Sequence, residues 1–324
     1  MTQDERLAGM PETHPETQGE RRDDRRAFFA AAAGAVAIGA GALLFADPLS
    51  AQTITDADVL NFALNIEYLQ ANFYAYATTG SGLGTADTQS GDATPTPGGT
   101  VIAGHQATLS SPLSAYAKEM AAVQLAQVRF LRTALGTSAV AMPAIDLGSS
   151  ATNAFSVMAQ NAGVVGSGAQ FDPYGSDTNF LLAAFFLQDL AVSAYQGMFP
   201  LISSQTFREA VAGLMAAEAH HAALIRTTLY QNSAATPALL DMANAISNYR
   251  DSLDGGTDDD QGISPVSAAN GLIANIAPVD SNGSTFARSS GTVFNILYLN
   301  RAAVTSGGFF PGGVNGNITT SAAS

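Results

Sequence analysis

Six side chains in this sequence could do chemistry: Glu67, Gln124, Gln127, Gln188, Glu218 and His221. Each is set into an apolar run at helical spacing, on the side that should face a core. A buried carboxylate or amide must be hydrogen-bonded, paired with a charge or bound to a metal. Glu218 and His221 stand at i and i+3, so a carboxylate and an imidazole share one helix face, which is a metal-ligand spacing. Gln124 and Gln127 repeat that spacing with two amides. Four helices converging such groups on one centre can hold a pair of metal ions. Three of the six positions are Gln, however, and an amide brings no charge.

The elements that would position these groups can be read from the apolar stripes. The first helix spans about 56–77, capped by Thr55 with Asp56 and Asp58 in its first turn, and its stripe is Leu60, Ala63, Leu64, Glu67, Ala71 and Tyr74. A Gly/Thr/Ser/Pro loop follows over 78–100. The second spans about 112–135, with Pro112 in its first turn, Ser111 as cap and Gly136 at its end. The third spans about 179–198 and carries Gln188. The fourth spans about 206–230 and carries Glu218 and His221. The connection over 137–177 is long, with a short helix near 155–162, so the second and third helices should run parallel. The connection after Pro200 is short, so the third and fourth should be antiparallel neighbours. One further helix is expected over about 237–249, then an acidic turn and a Gly/Asn/Ser-rich tail. The expected organisation is a leader over 1–51, an all-α four-helix bundle over 52–232, and a C-terminal helix and extension over 233–324 packed on the bundle.

Composition narrows the function classes. The 324 residues are 47% hydrophobic and 12% charged, enough for a sizeable core. A net charge of −14 argues against nucleic acid and against anionic membrane surfaces as partners. There is no cysteine, which excludes disulfides, thiolate catalysis and iron–sulfur clusters, and no Trp. Near the N-terminus Arg25-Arg26-Ala27-Phe28-Phe29 precedes an Ala/Gly-rich run to Phe45, and Leu49-Ser50-Ala51 is a small-residue cleavage site. This resembles a twin-arginine export signal and predicts a periplasmic or extracellular protein with no membrane association after cleavage. The competing reading is a single membrane anchor, which the weak hydropathy of an Ala/Gly run disfavours.

Several longer stretches carry a resemblance to a family. They are Asp58-Val59-Leu60-Asn61-Phe62-Ala63-Leu64-Asn65-Ile66-Glu67-Tyr68-Leu69, Val128-Arg129-Phe130-Leu131-Arg132-Thr133-Ala134-Leu135-Gly136 and Pro143-Ala144-Ile145-Asp146. Asn179-Phe180-Leu181-Leu182-Ala183-Ala184-Phe185, Val192-Ser193-Ala194-Tyr195, Glu218-Ala219-His220-His221 and the tail Gly308-Phe309-Phe310-Pro311-Gly312-Gly313-Val314-Asn315-Gly316 continue the match. Together they resemble the bacterial ferritin-like domain proteins that also include plant desiccation-related proteins, over nearly all of the mature chain. The resemblance implies a ferritin-like four-helix bundle with a long crossover, and often a carboxylate-bridged di-iron or di-manganese centre. It also implies Glu at position 124, His at 127 and Glu at 188, where this chain has Gln124, Gln127 and Gln188, and acidic residues in the first helix where it has Gln70 and Asn72.

Charge decides what those departures mean. Two divalent ions bring four positive charges, which the usual bundle site meets with four carboxylates and two imidazoles. Two carboxylates and one imidazole remain here, and a Gln carbonyl can ligate a hard cation without offsetting its charge. Asp189 lies roughly 100° around the helix from Gln188 and does not replace it. Two arrangements remain open. One is a single divalent ion (iron, manganese or zinc) on Glu67, Glu218 and His221, with Gln oxygens or water completing the shell. The other is no metal, with His221 protonated between the carboxylates and every buried polar group satisfied. A reading of the six as scattered surface positions fits poorly, because the stripe spacing agrees in four helices.

The remaining candidates are weaker. Tyr74 and Tyr195 lie two turns past Glu67 and Gln188, suited to core packing or to hydrogen bonds with the cluster. His105 and His220 are expected to face solvent. Asp251, Asp254, Asp258, Asp259 and Asp260 match no calcium loop and read as a solvated acidic turn. No phosphate loop or dinucleotide fingerprint is present. The expected role is structural, stress-related or binding. The rivals are a metal-dependent oxidase or peroxide-consuming protein with a reduced site, and a self-assembling surface module that forms homo-oligomers.

Overall fold

The computed structural model describes residues 54–102, 104–256 and 260–324. The expected leader, its twin arginines and Asp258 and Asp259 lie outside those residues. Helix α1 (Asp56–Thr79) opens on a reciprocal cap: Thr55 Oγ1 accepts from the Asp58 N–H, and the Asp58 carboxylate accepts from the Thr55 N–H. Gly80, at φ 73°, closes it in the left-handed region that glycine enters without steric cost. Helix α2 is Leu113–Leu135. Its expected Ser111 cap does not form: Pro112 occupies the cap position with helical dihedrals, and the carbonyls of Ser110 and Pro112 take the first free N–H groups. Helix α3 (Ala154–Asn161) lies in the crossover. Helices α4 (Asp177–Met198) and α5 (Gln205–Ser233) begin on the side chains of Ser176 and Ser204 and are joined by the 3-10 turn Phe199–Leu201.

Contacts along the helices fix their directions. Asn61 near the start of α1 bonds Ser138, just past the end of α2, while Gln106 ahead of α2 bonds Thr78 at the end of α1, so the two are antiparallel. Glu67 meets Tyr195 and Gln70 meets Gln188, so α1 and α4 are antiparallel as well. Helices α2 and α4 therefore run parallel, as the crossover requires. That crossover is tied down by a two-residue parallel pairing of β1 (Val101–Ile102) with β2 (Ile145–Asp146), and by the Asp146 carboxylate, which accepts from the first N–H of α3.

Helices α1 and α4 are the centre of the molecule. Every residue from Asp58 to Tyr74 and from Phe180 to Tyr195 is buried. A helix covered on all sides needs neighbours all round, and α2 and α5 supply only part of them. The C-terminal chain supplies the rest. Helix α6 (Ala238–Asp254) and helix α7 (Ser290–Leu297) pack on α4, and Phe309 packs edge-on against Phe155 at 4.8 Å between ring centres. The tail reaches α1, where Asn315 exchanges hydrogen bonds with Asn65 and Asn317 donates to Asp58. A two-stranded antiparallel hairpin, β3 (Val266–Ala268) with β4 (Gly271–Ile273), stands between α6 and α7 in sequence. Among the described residues one helical stretch, Asp177–Leu201, has the length and hydropathy to cross a membrane, and 89% of its most apolar 18-residue window is buried inside the protein.

The acidic turn is not solvated as expected. Helix α6 runs on through Asp254, and both Asp254 and Asp260 are buried against arginines. Arg250 donates to Asp260, to Asp189 and to the Phe185 and Phe186 carbonyls; Arg226 donates to Asp189, and Arg288 to Asp254, Asp260 and Ser193. Three arginines and three aspartates thus close a neutral network between the bundle and the C-terminal chain.

Candidate functional site

The bundle interior gathers polar groups from all four long helices. Helix α1 brings Glu67 and, one turn on, Gln70; α2 brings Gln124 and Gln127; α4 brings Gln188 and Tyr195; α5 brings Glu218 and His221. All are buried, His221 being the most exposed at 8%. Gln124 Nε2 donates to Glu218 Oε1 at 2.8 Å, and Gln188 Nε2 donates to Gln70 Oε1 at 2.5 Å. The Tyr195 hydroxyl donates to Glu67 Oε1 in a short hydrogen bond. His221 Nδ1 lies 3.9 Å from Glu218 Oε1, beyond hydrogen-bond reach. Tyr74 is buried beside the centre with its hydroxyl unpartnered.

The electrostatics follow from burial without a cation. Burial raises the Glu67 carboxyl well above its usual range, the Glu218 charge adds to this, and the Tyr195 hydrogen bond opposes it. Burial pushes Glu218 up to about 7 against the pull of the Gln127, Gln70 and Gln124 amides, of which Gln124 alone makes a well-formed bond. Burial, with the neighbouring His220, lowers His221 to about 4. Tyr74 and Tyr195 are raised by burial and by the carboxylates. The imidazole is therefore neutral at pH 7. This runs against the arrangement with a protonated His221 between two carboxylates: burial disfavours the charged ring, and Glu218 Oε1 at 3.9 Å is too far to accept a hydrogen bond from it.

The expectation that every polar atom would find a partner also fails. Glu67 Oε2, Glu218 Oε2, Gln124 Oε1, Gln188 Oε1, both amide atoms of Gln127, Gln70 Nε2, the Tyr74 hydroxyl and His221 Nδ1 have no hydrogen-bond partner among the described residues. Each such atom typically costs about 1–3 kcal/mol, so the concentration here marks a site for a small polar guest. Oxygens predominate, with one imidazole, a donor set that suits a hard or borderline cation. It does not suit two: the centre has two carboxylates and one imidazole where two divalent ions bring four charges. Among the described residues no group of three or more His, Asp or Glu side chains is arranged to hold a metal ion.

Gln70 belongs to this site; the family resemblance marked it, although the apolar stripe did not. The signal was present, since Gln70 is i+3 from Glu67, the spacing that links Glu218 to His221. Asn72 is occupied elsewhere, accepting from the Leu83 N–H and donating to the Tyr68 carbonyl. His220 is exposed. His105 is exposed but not simply solvated: its Nε2 lies 2.8 Å from Asp172, and that hydrogen bond raises its pKa.

The ferritin-like domain profile matches residues 55–231 of this chain. A desiccation-related protein of Craterostigma plantagineum is 29% identical over 243 residues, covering 72% of this chain and 75% of the relative. A ferritin-like catalase of Nesocodon mauritianus is 26% identical over 271 residues, covering 81% of this chain and 84% of the relative. No solved structure matches with comparable significance.

Proposed function

The chain belongs to the ferritin-like domain family, and from that premise we propose that it is an exported bundle protein whose dinuclear centre has been depleted, leaving a structural, stress-related or binding role in place of redox turnover. The observation that carries this reading is the hydrogen bonding of the glutamines. Gln124 donates to Glu218 and Gln188 donates to Gln70. A carboxylate at either position would bring a negative charge and no donor. An amide can instead turn its NH₂ toward a carboxylate and stabilise it directly. Gln124 thus gives a carboxylate a donor, Gln188 gives one to a second amide, and neither adds charge to the centre, while the Oε1 atoms of both stay unpartnered. The likeness to a relative named for desiccation is consistent with a stress-related role, and the doubled arginine and small-residue site near Ala51 support export.

A second reading is favoured by the unpartnered oxygens and by the relative named a ferritin-like catalase. In it one divalent ion, iron, manganese or zinc, draws Glu67, Glu218 and His221 together as its ligands, a gathering the described side chains do not make by themselves, and the protein would consume peroxide or oxidise a substrate from that reduced site. The bound ion would supply Lewis acidity or redox capacity. The chain's own residues would exclude water, through the buried walls of α1 and α4, and would hold a proton on Tyr195 beside Glu67.

Restoring the ligands tests the first reading. The combined substitution Gln124→Glu, Gln127→His and Gln188→Glu is expected to raise iron or manganese uptake by about one equivalent per chain or more over the parent, measured by plasma emission spectroscopy after desalting. Unchanged uptake in a folded triple variant would show that the amides are not what limits the site.

A further inference from the structure

The β3–β4 hairpin is the least covered ordered element among the described residues. All six strand residues are exposed, with Val266 at 49%, Leu272 at 73% and Ile273 at 54%. The register pairs Val266 with Ile273 on one face and Ser267 with Leu272 on the other, so apolar side chains stand out on both faces. Each strand has one hydrogen-bonded neighbour, and among the described residues the outer edges of β3 and β4 have no backbone partner. Natural proteins blunt such edges with charges. Here residues 261–279 carry no charged side chain at all, in a chain of net charge −14.

The hairpin is also stiffly mounted. Its two legs leave the body at Gly262 and Asn275. The buried Arg226 of α5 donates to both carbonyls, at 2.6 and 2.8 Å, while Asn275 Nδ2 donates to the Gly262 carbonyl at 3.0 Å. An apolar two-stranded tip held on a guanidinium clamp is ordered before it meets a partner, so pairing would forfeit little conformational freedom.

We propose that this hairpin is a self-association element, through which two copies of the chain pair strand edge to strand edge about a two-fold axis. Charge selects the occupant. Two copies of a chain of net charge −14 repel, with a Debye length of about 8 Å at physiological ionic strength, and the uncharged hairpin is where they approach at least cost. A basic partner would be drawn to the acidic surfaces instead. Edge pairing adds backbone hydrogen bonds on a self-complementary patch, the isologous geometry of a two-fold dimer. The hairpin is small beside the roughly 800 Å² per partner of a stable interface, so the dimer is weak and concentration-dependent. The inference is independent of what the bundle centre holds.

Sedimentation velocity of the full chain over roughly a hundredfold range of concentration tests it. The expected result is a monomer–dimer equilibrium for the parent and a dissociation constant raised at least about tenfold by Leu272→Lys with Ile273→Lys. Measured well below the parent's dissociation constant, the melting temperature should not move, because both positions are exposed in the monomer. The absence of cysteine allows a second measurement. Ser267→Cys or Leu272→Cys should give a disulfide-linked dimer under mild oxidation, and Thr236→Cys, exposed on the α5–α6 connection, should not. A parent that stays monomeric throughout, a lysine variant that dimerises like the parent, or equal cross-linking at position 236 would overturn the proposal. So would binding of the parent, but not the lysine variant, to phosphatidylcholine vesicles without dimer formation, which would assign the hairpin to a lipid surface.

Discussion

At the scale of single residues, the centre opposes one titration with another. The Glu218 carboxyl is raised from 4.5 to about 7, so the folded state holds a proton that the unfolded chain has released. Its stabilising effect is complete below pH 4.5 and is lost as pH rises through 7; a shift of that size corresponds to roughly 3 kcal/mol. His221 acts the other way. Lowered from 6.5 to about 4, its contribution is present above pH 6.5 and is lost as pH falls through 4. In the parent the two slopes partly cancel between pH 4.5 and 6.5. Because burial raises the Glu67 carboxyl too, Glu67→Gln with Glu218→Gln should unmask the histidine, giving chelator-treated protein whose stability to urea rises from pH 4.5 to 6.5. His221→Gln should unmask the carboxyl, with stability falling from pH 5 to 7.5. Identical pH profiles for the two variants would contradict this assignment. The six chemical positions were legible because a polar residue inside a helical apolar stripe stands out against its neighbours. Their bonding was not legible: whether a Gln turns its oxygen or its NH₂ toward Glu218 depends on neighbours 94 residues away.

At the scale of elements, helix types and approximate bounds could be read from caps and stripes, as the Thr55–Asp58 pair and Gly80 illustrate. The covering of α1 and α4 could not, since a buried helix reads as apolar whatever chain lies over it. The arginine network escaped for a related reason. Arg226 reads as an ordinary helix residue until Asp189, 37 residues away, is placed against it. Arg250 shows what this network does. Arg250→Ala would leave Asp260, Asp189 and the Phe185 and Phe186 carbonyls without their shared donor. Removing one partner of a buried charge network typically costs about 3–5 kcal/mol. The expected result is an earlier urea midpoint, with proteolysis beginning in the segment after Ser233. A change under about 1 kcal/mol would place the network outside the stabilising core. A second test is Gly197→Ala in α4: an added Cβ would stand 1.9 Å from the Arg288 carbonyl oxygen. Overpacking of this kind costs about 1–3 kcal/mol, and an unaltered melting temperature would mean the C-terminal chain is not held this close.

At the scale of the whole molecule, the described residues form a bundle with two carboxylates at its centre and paired charges in its seam. The centre keeps two carboxylates that burial holds back from ionising. The seam keeps three arginine–aspartate pairings that lock the C-terminal chain to α4 and α5. The tail motif at 308–316 could be recognised in sequence, but not its purpose, which is to complete the cover of α1 through Asn315 and Asn65. The most direct test of the account is the metal content of the protein purified from cells that make it. The account predicts at most one equivalent of iron, manganese or zinc per chain. Two equivalents of iron or manganese, retained at full occupancy through desalting, would contradict it.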